Sequence, residues 1–470
     1  MKQIGLIYTD PSVLSVASAS PACRQAGLCS IPSKKIKTLP LPKFIQQMLQ
    51  VNYIRQNADL VKERLGAKYY GDIEVVDRII ALDEQVRKLK VETETVQASI
   101  NLASKEIGML MGKGEKEAAE NKKQEVALQK TSLQNLSQQL ADAEKSLYDE
   151  VIALPNLPHV SVPKGKTPEE NEVVREGGAI PLLAASAIPH WELIKKYDLV
   201  DFETGAKLTG SGFPLYKGKG AKLQRALIQY FLDYNTAAGY TEYLPPLMVN
   251  EATAYGTGQL PDKEGQMYHV TADGFYLIPT AEVPVTNIYR DEIVKESDLP
   301  VKMTAYTPCF RREAGSFGSD VRGLNRVHQF DKIEIVQLVH PDKSYEVLEE
   351  MVVHIEKLLN TLQLPYRILR LCGGDMSFTS ALTYDFEVYS AAQQKWLEVS
   401  SVSNFETFQA NRMKIRFKDD TNKTRLVHSL NGSSLALPRI VACLLENNQT
   451  ENGIALPDVL HTYFGATTIH

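Results

Sequence analysis

Cysteine is scarce in this chain. It occurs at Cys23, Cys29, Cys309, Cys372 and Cys443 only, widely spaced and never as a CxxC pair. That usage excludes a disulfide framework and fits a reducing compartment, so a cytoplasmic location is expected. No apolar run reaches the roughly 18 residues a membrane-spanning helix needs, so no membrane association is expected. Neither a Walker loop nor a GxGxxG fingerprint occurs; any nucleotide must have its phosphates held by side chains instead of a glycine cradle. An excess of basic residues is also missing. The formal net charge of -5 excludes a chain that is basic throughout, but leaves room for a local basic patch. Acid is nearly absent from residues 1–47, which include SVLSVASASPACRQAGLCSIPSKKIKTLPLPK. Such a stretch has the composition of a transit segment. The plainer reading, preferred here, is a disordered extension or a start assigned upstream of Met48.

What is present is enough for two or three domains. The chain has 470 residues and is 43% hydrophobic, ample for a core. From Ile79 the seam positions advance by alternate threes and fours through Leu82, Val86, Leu89, Thr93, Val96, Ile100, Ala103, Ile107 and Leu110. This is a heptad seam. GKGEKE at 112–117 interrupts it, and a second seam runs through Val126, Gln129, Leu133, Leu136, Leu140, Ala143 and Leu147. The short connection predicts an antiparallel helical hairpin, each arm ~45–50 Å long, with polar outer faces. The proline-bearing stretch at 156–172 reads as a linker, and 173–470 as a separate domain. There, strand-like runs follow one another without a regular βαβ alternation, which predicts an α+β fold with a mostly antiparallel sheet. LNGSSLALPRIVACLLENNQ (430–449) reads as a helix opening at Asn431-Gly432-Ser433, or as one whose helical part starts near Pro438, where proline costs little.

Charge concentrates in TPCFRREAGSFGSDVRGLNRVHQFDKIE (307–334), which carries Arg311, Arg312, Arg322 and Arg326 among acids. Read as two strands joined by a loop, Cys309, Arg311 and Glu313 share one side of the first. Arg326, His328, Phe330, Lys332 and Glu334 share one side of the second, with Val327, Ile333 and Ile335 turned to a core. A solvated edge is one reading of such a face. The mixture argues for a polar ligand: arginines suit phosphate, a phenylalanine suits stacking and carboxylates suit an amine.

These residues resemble the seryl-tRNA synthetases, among class II aminoacyl-tRNA synthetases. GYTEYLPPLMV (239–249), FRREAG with RGLNRVHQFDKIE, and NGSSLALPR are similar to the three class II motifs. YGTGQLP, PTAEVP and LEVSSVSNFETFQANR are similar to seryl-specific elements. The resemblance covers residue 48 to the end and identifies the common, zinc-free type. It implies a class II antiparallel sheet flanked by helices, with a tRNA-binding hairpin domain at 48–155 and a catalytic domain at 173–470. It also implies a homodimer that activates L-serine with ATP and Mg²⁺ and loads tRNA(Ser), with tRNA(Sec) as a second acceptor.

By position, the resemblance assigns Arg311 to the ATP α-phosphate, Glu313 to the adenine amino group and Phe330 to the adenine ring, opposite Arg439. Arg326 and Arg439 take the outer phosphates, and Arg312, Val327, Val399 and Ser400 complete the ATP site. Glu398 and Ser401 hold Mg²⁺. Thr280, Ala281, Glu282, Glu334, Asn431 and Ser433 enclose serine together with Arg311; Glu334 pairs with its ammonium, Glu282 with its hydroxyl or ammonium, and Lys332 helps at the phosphate or the carboxylate. Val402 and Asn411 depart from the family pattern, where a cysteine and an arginine are common. Cys309 and Cys443 lie near the second and third motifs, but with no paired spacing they read as buried thiols, and no zinc is expected. The loop at 314–325 is expected to meet the tRNA acceptor end. Two other readings remain: a class II-like ligase that loads a carrier protein, which needs no hairpin, and an inactive synthetase-like coiled-coil protein, which needs no arginine–carboxylate set.

Overall fold

The computed structural model describes residues 51–262, 264–313 and 322–470. The chain divides into Met1–Phe44, outside the described residues, and Ile45–His470. The expectations for residues 1–47 and for the tip of the 314–325 loop therefore lie outside what is described.

After α1 (Ala58–Ala67) come the two arms, α2 (Val75–Gly112) and α3 (Lys116–Ile152). At about 1.5 Å per residue the 38 residues of α2 span ~57 Å, longer than the heptads alone suggest. The seams meet as expected. Ile79, Val86, Leu89, Ile100, Ala103, Val126, Ala143 and Leu147 are buried. Two apolar clusters divide the hairpin. The basal one joins Val61 and Leu65 of α1 to Ile79, Leu89, Ala143 and Leu147, whereas the distal one is Ile100, Ala103 and Val126 with flanking Val96, Ile107 and Leu133. Only the distal half is buried by the arms alone. Lys122 is also not a free surface lysine, since it bridges to Glu106 of the other arm at 3.3 Å and to Glu125 at 2.9 Å.

The linker at 156–172 is tied down. Asn156 donates through Nδ2 to the carbonyls of Thr379 and Phe405, both at 2.9 Å. Lys68, just past α1, donates through Nζ to the carbonyls of Asn156 at 3.2 Å and Ser380 at 3.1 Å. Gly373 permits that approach, because a Cβ there would lie 1.8 Å from the Ala67 carbonyl oxygen.

Beyond the linker an eight-stranded sheet forms from β1 (Glu172–Gly177), β2 (Thr241–Tyr243), β3 (Val301–Phe310), β4 (Gln329–Val339), β5 (Tyr366–Arg370), β6 (Leu382–Ser390), β7 (Lys395–Asn404) and β8 (His428–Ala436). Its order is β1-β5-β6-β7-β8-β4-β3-β2. All neighbours are antiparallel except β2 and β3. The helices α4 (His190–Lys196), α5 (Gly218–Ala237), α6 (Glu282–Thr286), α7 (Ser344–Thr361), α8 (Phe408–Met413) and α9 (Leu437–Asn447) complete the frame. Residues of α5, α7 and α9 pack on Ile333, Ile335, Phe386, Val399 and Leu435 to make the main core.

The other face of β4 follows the period of two. Val336 and Leu338 lie in a second core with Met303 and Ala305, covered by Ala281 and by Ala410 and Met413 of α8. Phe330, Lys332 and Glu334 continue the same face toward the open end. One face thus has an apolar, covered half and a polar half.

Three local expectations are corrected. Asn431-Gly432-Ser433 opens no helix; it lies inside β8, between β4 and β7. Gly432 fits because an added Cβ would stand 3.0 Å from a methyl of Val402. The helix does start at Leu437, with Pro438 in its first turn. The strand alternation proposed for Arg311, Glu313, Arg326 and His328 also fails, since β3 ends at Phe310 and β4 begins at Gln329. There the backbone turns aside. Arg312 N donates to Gln266 O at 2.9 Å, and Glu313 takes a left-handed φ of 47°. Glu282, expected on a turn, is the first residue of α6.

Candidate active site

On the polar half of β4, Glu334 is 1% exposed and accepts at one oxygen from three donors. Lys332 Nζ lies at 2.7 Å, Thr280 Oγ1 at 3.2 Å and Ser433 Oγ at 3.4 Å from Oε2. Lys332 and Ser433 arrive by strand geometry, because Ser433 is the cross-strand partner of Glu334. Thr280 comes from the turn before α6, followed by fully buried Ala281. A buried carboxylate needs such partners. Removing one member of a buried ion pair costs about 3–5 kcal/mol.

Beside it stands a second carboxylate. Glu282 is buried, and Gln409 Nε2 of α8 donates to its Oε1 at 2.5 Å. Burial, and then the negative charge of Glu334, push the Glu282 carboxyl up to about 7, against the pull of Gln409, Lys332 and Asn431. Gln409 is held in turn by Ser429 Oγ at 2.8 Å. Gln409 sits in the FQANR stretch, but nothing local in the sequence reveals that it supports Glu282.

The arginines lie around this pocket. Arg311 places its guanidinium 5.3 Å from the centroid of the Phe330 ring and donates Nε to Pro279 O at 3.4 Å. Arg326 Nη1 pairs with Glu313 Oε2 at 2.8 Å. Arg439, in the first turn of α9, donates Nε to Asn325 O at 3.0 Å and Nη1 to Glu398 O at 2.6 Å, with Glu398 Oε2 at 3.5 Å. Arg312 is exposed, and Val327 is buried.

Glu398 and Ser401 are three residues apart, a spacing that alternation assigns to opposite faces. A bulge corrects this. Asp385 pairs with Ser401 and Phe386 with Ser400, but Glu387 pairs with Glu398, so Val399 is the extra residue. Glu398 and Ser401 then face the same way. Val399 turns into the core, and Ser400 Oγ donates to Ser433 O at 2.5 Å, joining this strand to the carboxylate pocket. Asp385 Oδ1 is buried without a hydrogen-bond partner. Burial, followed by the charge of Glu398, raises that carboxyl well above its ordinary value. A carboxylate and a hydroxyl facing outward, backed by an orphaned carboxyl oxygen, suit a hard cation that takes its remaining ligands from phosphates. Among the described residues no group of three or more His, Cys, Asp and Glu side chains has metal-holding geometry. Cys309 and Cys443 are buried free thiols, both pushed up by burial.

The seryl-tRNA synthetase N-terminal domain family matches residues 48–158, and the tRNA synthetase class II core domain (G, H, P, S and T) family matches residues 268–448. The chain is similar to the serine–tRNA ligase of Salinibacter ruber, 51% identical over 424 residues that cover 90% of this chain and 99% of the relative. The serine–tRNA ligase of Neisseria meningitidis is 48% identical over 426 residues, covering 89% of this chain and 98% of that one. Among solved structures, the seryl-tRNA synthetase of Pyrococcus horikoshii complexed with ATP superposes with a TM-score of 0.83 at 33% identity, over 90% of this chain and 99% of that one. The cytoplasmic enzyme of Naegleria fowleri in complex with AMP gives 0.79 at 26% identity, over 90% and 98%.

Proposed function

The chain belongs to the seryl-tRNA synthetases and is a serine–tRNA ligase, and on that premise we propose that its charged strand face divides into a serine half and an ATP half. The observation that carries the proposal is the pair of buried carboxylates, Glu334 and Glu282, beside Lys332. An ammonium group fits between them, Lys332 and Arg311 offer charge to the carboxylate of serine, and Thr280, Ala281, Asn431 and Ser433 form the walls. The ATP half comprises Arg311 at the α-phosphate, Phe330 under the adenine ring, Glu313 at the adenine amino group, and Arg326 and Arg439 at the outer phosphates. Arg312, Val327, Val399 and Ser400 line it. The ion pairs Arg326–Glu313 and Arg439–Glu398 are part-exposed, so exchanging them for phosphate and adenine contacts costs little.

Mg²⁺ is assigned to Glu398 and Ser401; bound there with ATP, it would neutralise phosphate charge. The chain's own residues do the rest. They hold the ionised serine carboxylate in line with the α-phosphorus, and Arg311 meets the charge that develops there as pyrophosphate leaves. No general base is needed for this step, and catalysis is positioning plus charge neutralisation. Transfer to the tRNA 3′ end follows, with residues 48–155 gripping tRNA(Ser), 156–172 linking and 173–470 catalysing. The family resemblance extends the acceptor to tRNA(Sec), the location to the cytoplasm and the assembly to a homodimer. In support of a homodimer, β2 is an edge of the sheet among the described residues, next to the 85% exposed Leu244. No described helix is long and apolar enough to cross a membrane.

The serine half makes a pH prediction. Serine offers donors, an ammonium and a hydroxyl, so it binds the ionised Glu282. With that carboxyl at about 7, the ionised fraction rises with pH across neutrality. The apparent KM for serine should therefore fall roughly tenfold from pH 6 to 8, and Glu282→Gln should flatten the profile. Glu282→Ala should also weaken the rejection of alanine, whose missing hydroxyl otherwise leaves this site unpaired. A flat wild-type profile, or unchanged discrimination in the alanine variant, refutes the assignment of Glu282.

A further inference from the structure

The buried pair His190–Glu446 takes no part in the chemistry described above, yet it touches the arginine-bearing segment directly. Glu446, on α9 two turns beyond Arg439, is fully buried. It accepts from His190 N at 2.8 Å, His190 Nδ1 at 2.7 Å, Gln393 Nε2 at 2.9 Å and Ser390 Oγ. Burial pushes its carboxyl up, but these donors outweigh it and hold the group below the usual carboxylate range. An ionised acceptor at Nδ1 fixes the proton there. The opposite nitrogen, Nε2, is left with its lone pair, and it accepts from Leu324 N at 2.9 Å.

Neighbouring contacts extend this grip along the segment that returns to β4. Arg322 lies with its guanidinium 4.6 Å from the Trp191 ring centroid and Nη2 3.7 Å from Glu192. Gly323, at φ +65°, passes so close that an added Cβ would stand 2.3 Å from His190 Nε2. Asn325 Nδ2 donates to Gln393 Oε1 at 2.9 Å, and its carbonyl accepts from Arg439 Nε. The start of α4 therefore holds three consecutive residues, Arg322, Gly323 and Leu324, and Gln393 holds the next, Asn325, which leads into Arg326 and receives Arg439.

We propose that His190, fixed in one tautomer by Glu446, is a positioning residue that sets the backbone of residues 322–326 and thereby aims Arg326 and Arg439 at the outer phosphates of ATP. The proposal rests on the phosphate assignment of those arginines. It is distinct from the serine pocket, none of whose residues contacts His190.

Two substitutions separate the two ends of the imidazole. His190→Asn keeps a donor near the Nδ1 position and loses the acceptor facing Leu324. His190→Gln carries a carbonyl out to the Nε2 position and loses the inner donor. Amide hydrogen exchange of the full-length protein across 322–327 reads the clamp without substrate, and pyrophosphate exchange reads the KM for ATP and for serine. His190→Asn should speed exchange at Leu324 and raise the KM for ATP by ~10-fold or more, with the KM for serine within about twofold of wild type. His190→Gln should restore most of both. Gly323→Ala, which pushes on the imidazole from the other side, should raise the KM for ATP in the same way, and it guards against a folding defect from the histidine changes. Unchanged protection at Leu324 in His190→Asn, equal behaviour of the Asn and Gln variants, or a parallel rise in both KM values overturns the proposal. Faster exchange with no rise in the KM for ATP overturns its functional half; if Arg326→Ala is equally silent, the fault lies in the phosphate assignment and not in the clamp.

Discussion

Arg311→Ala is expected to lower serine-dependent pyrophosphate exchange by ~10²-fold or more while leaving the fold intact, the usual scale for removing a charge donor aimed at a transition state. The pattern of pairing explains why this arginine should matter most. Arg326 is paired with Glu313, Arg439 with Glu398 and Lys332 with Glu334. Among the described residues Arg311 has no carboxylate within ion-pair distance. Its guanidinium rests on Phe330 and is steered by the Pro279 carbonyl, so its charge is oriented without being spent on an acid. Arg311→Lys should recover little, because an ammonium keeps the charge but lacks the planar fork. Near-normal exchange by a folded alanine variant would remove Arg311 from the reaction.

The second large effect concerns the hairpin. Its arms carry no residue of the proposed site, and Lys88, Lys90, Lys105, Lys113, Lys116, Lys123 and Lys130 are exposed along it. If these lysines grip tRNA phosphates, shortening the hairpin should separate the two steps of the reaction. The packing decides where to cut. A deletion of 74–151 would strip Val61 and Leu65 of the partners that bury them. A deletion of 95–134 closed by a short Gly/Ser turn removes the distal cluster whole and leaves the basal one in place. This shortened protein should retain serine-dependent pyrophosphate exchange within about twofold, since the distal arm is far from the sheet. Its charging of tRNA should fall to near zero. In the intact protein, charging should weaken steeply with salt, as expected for contacts that release counterions. Full charging by the shortened protein, or equal loss of both activities in a folded sample, would show that the hairpin serves another purpose.

Much of this was legible locally. Heptad spacing alone determined the two arms and their antiparallel pairing, because a 3.5-residue apolar repeat can be buried only against a matching seam. Pro438 marked where α9 starts, since proline is tolerated in a first turn and not deeper. The alternation Phe330, Lys332, Glu334 against Ile333 and Ile335 marked a two-faced strand, because the side-chain period of a strand is fixed. The motif residues named the chemistry through their resemblance to a family.

Tertiary structure decided what depends on a partner strand or a distant side chain. The bulge at Val399 is a mismatch between β6 and β7, and only that mismatch puts Glu398 and Ser401 on one side. Asn431-Gly432-Ser433 has the composition of a helix approach, yet pairing on both sides makes it a strand. Glu313 leaves the strand through a left-handed residue, and Arg326 meets it from outside β4. Gln409 reaches Glu282 and His190 reaches Leu324 across more than a hundred residues of chain. Propensity and periodicity are set within a few residues, whereas a register shift or a buried hydrogen bond is set by whichever segment the finished core brings alongside.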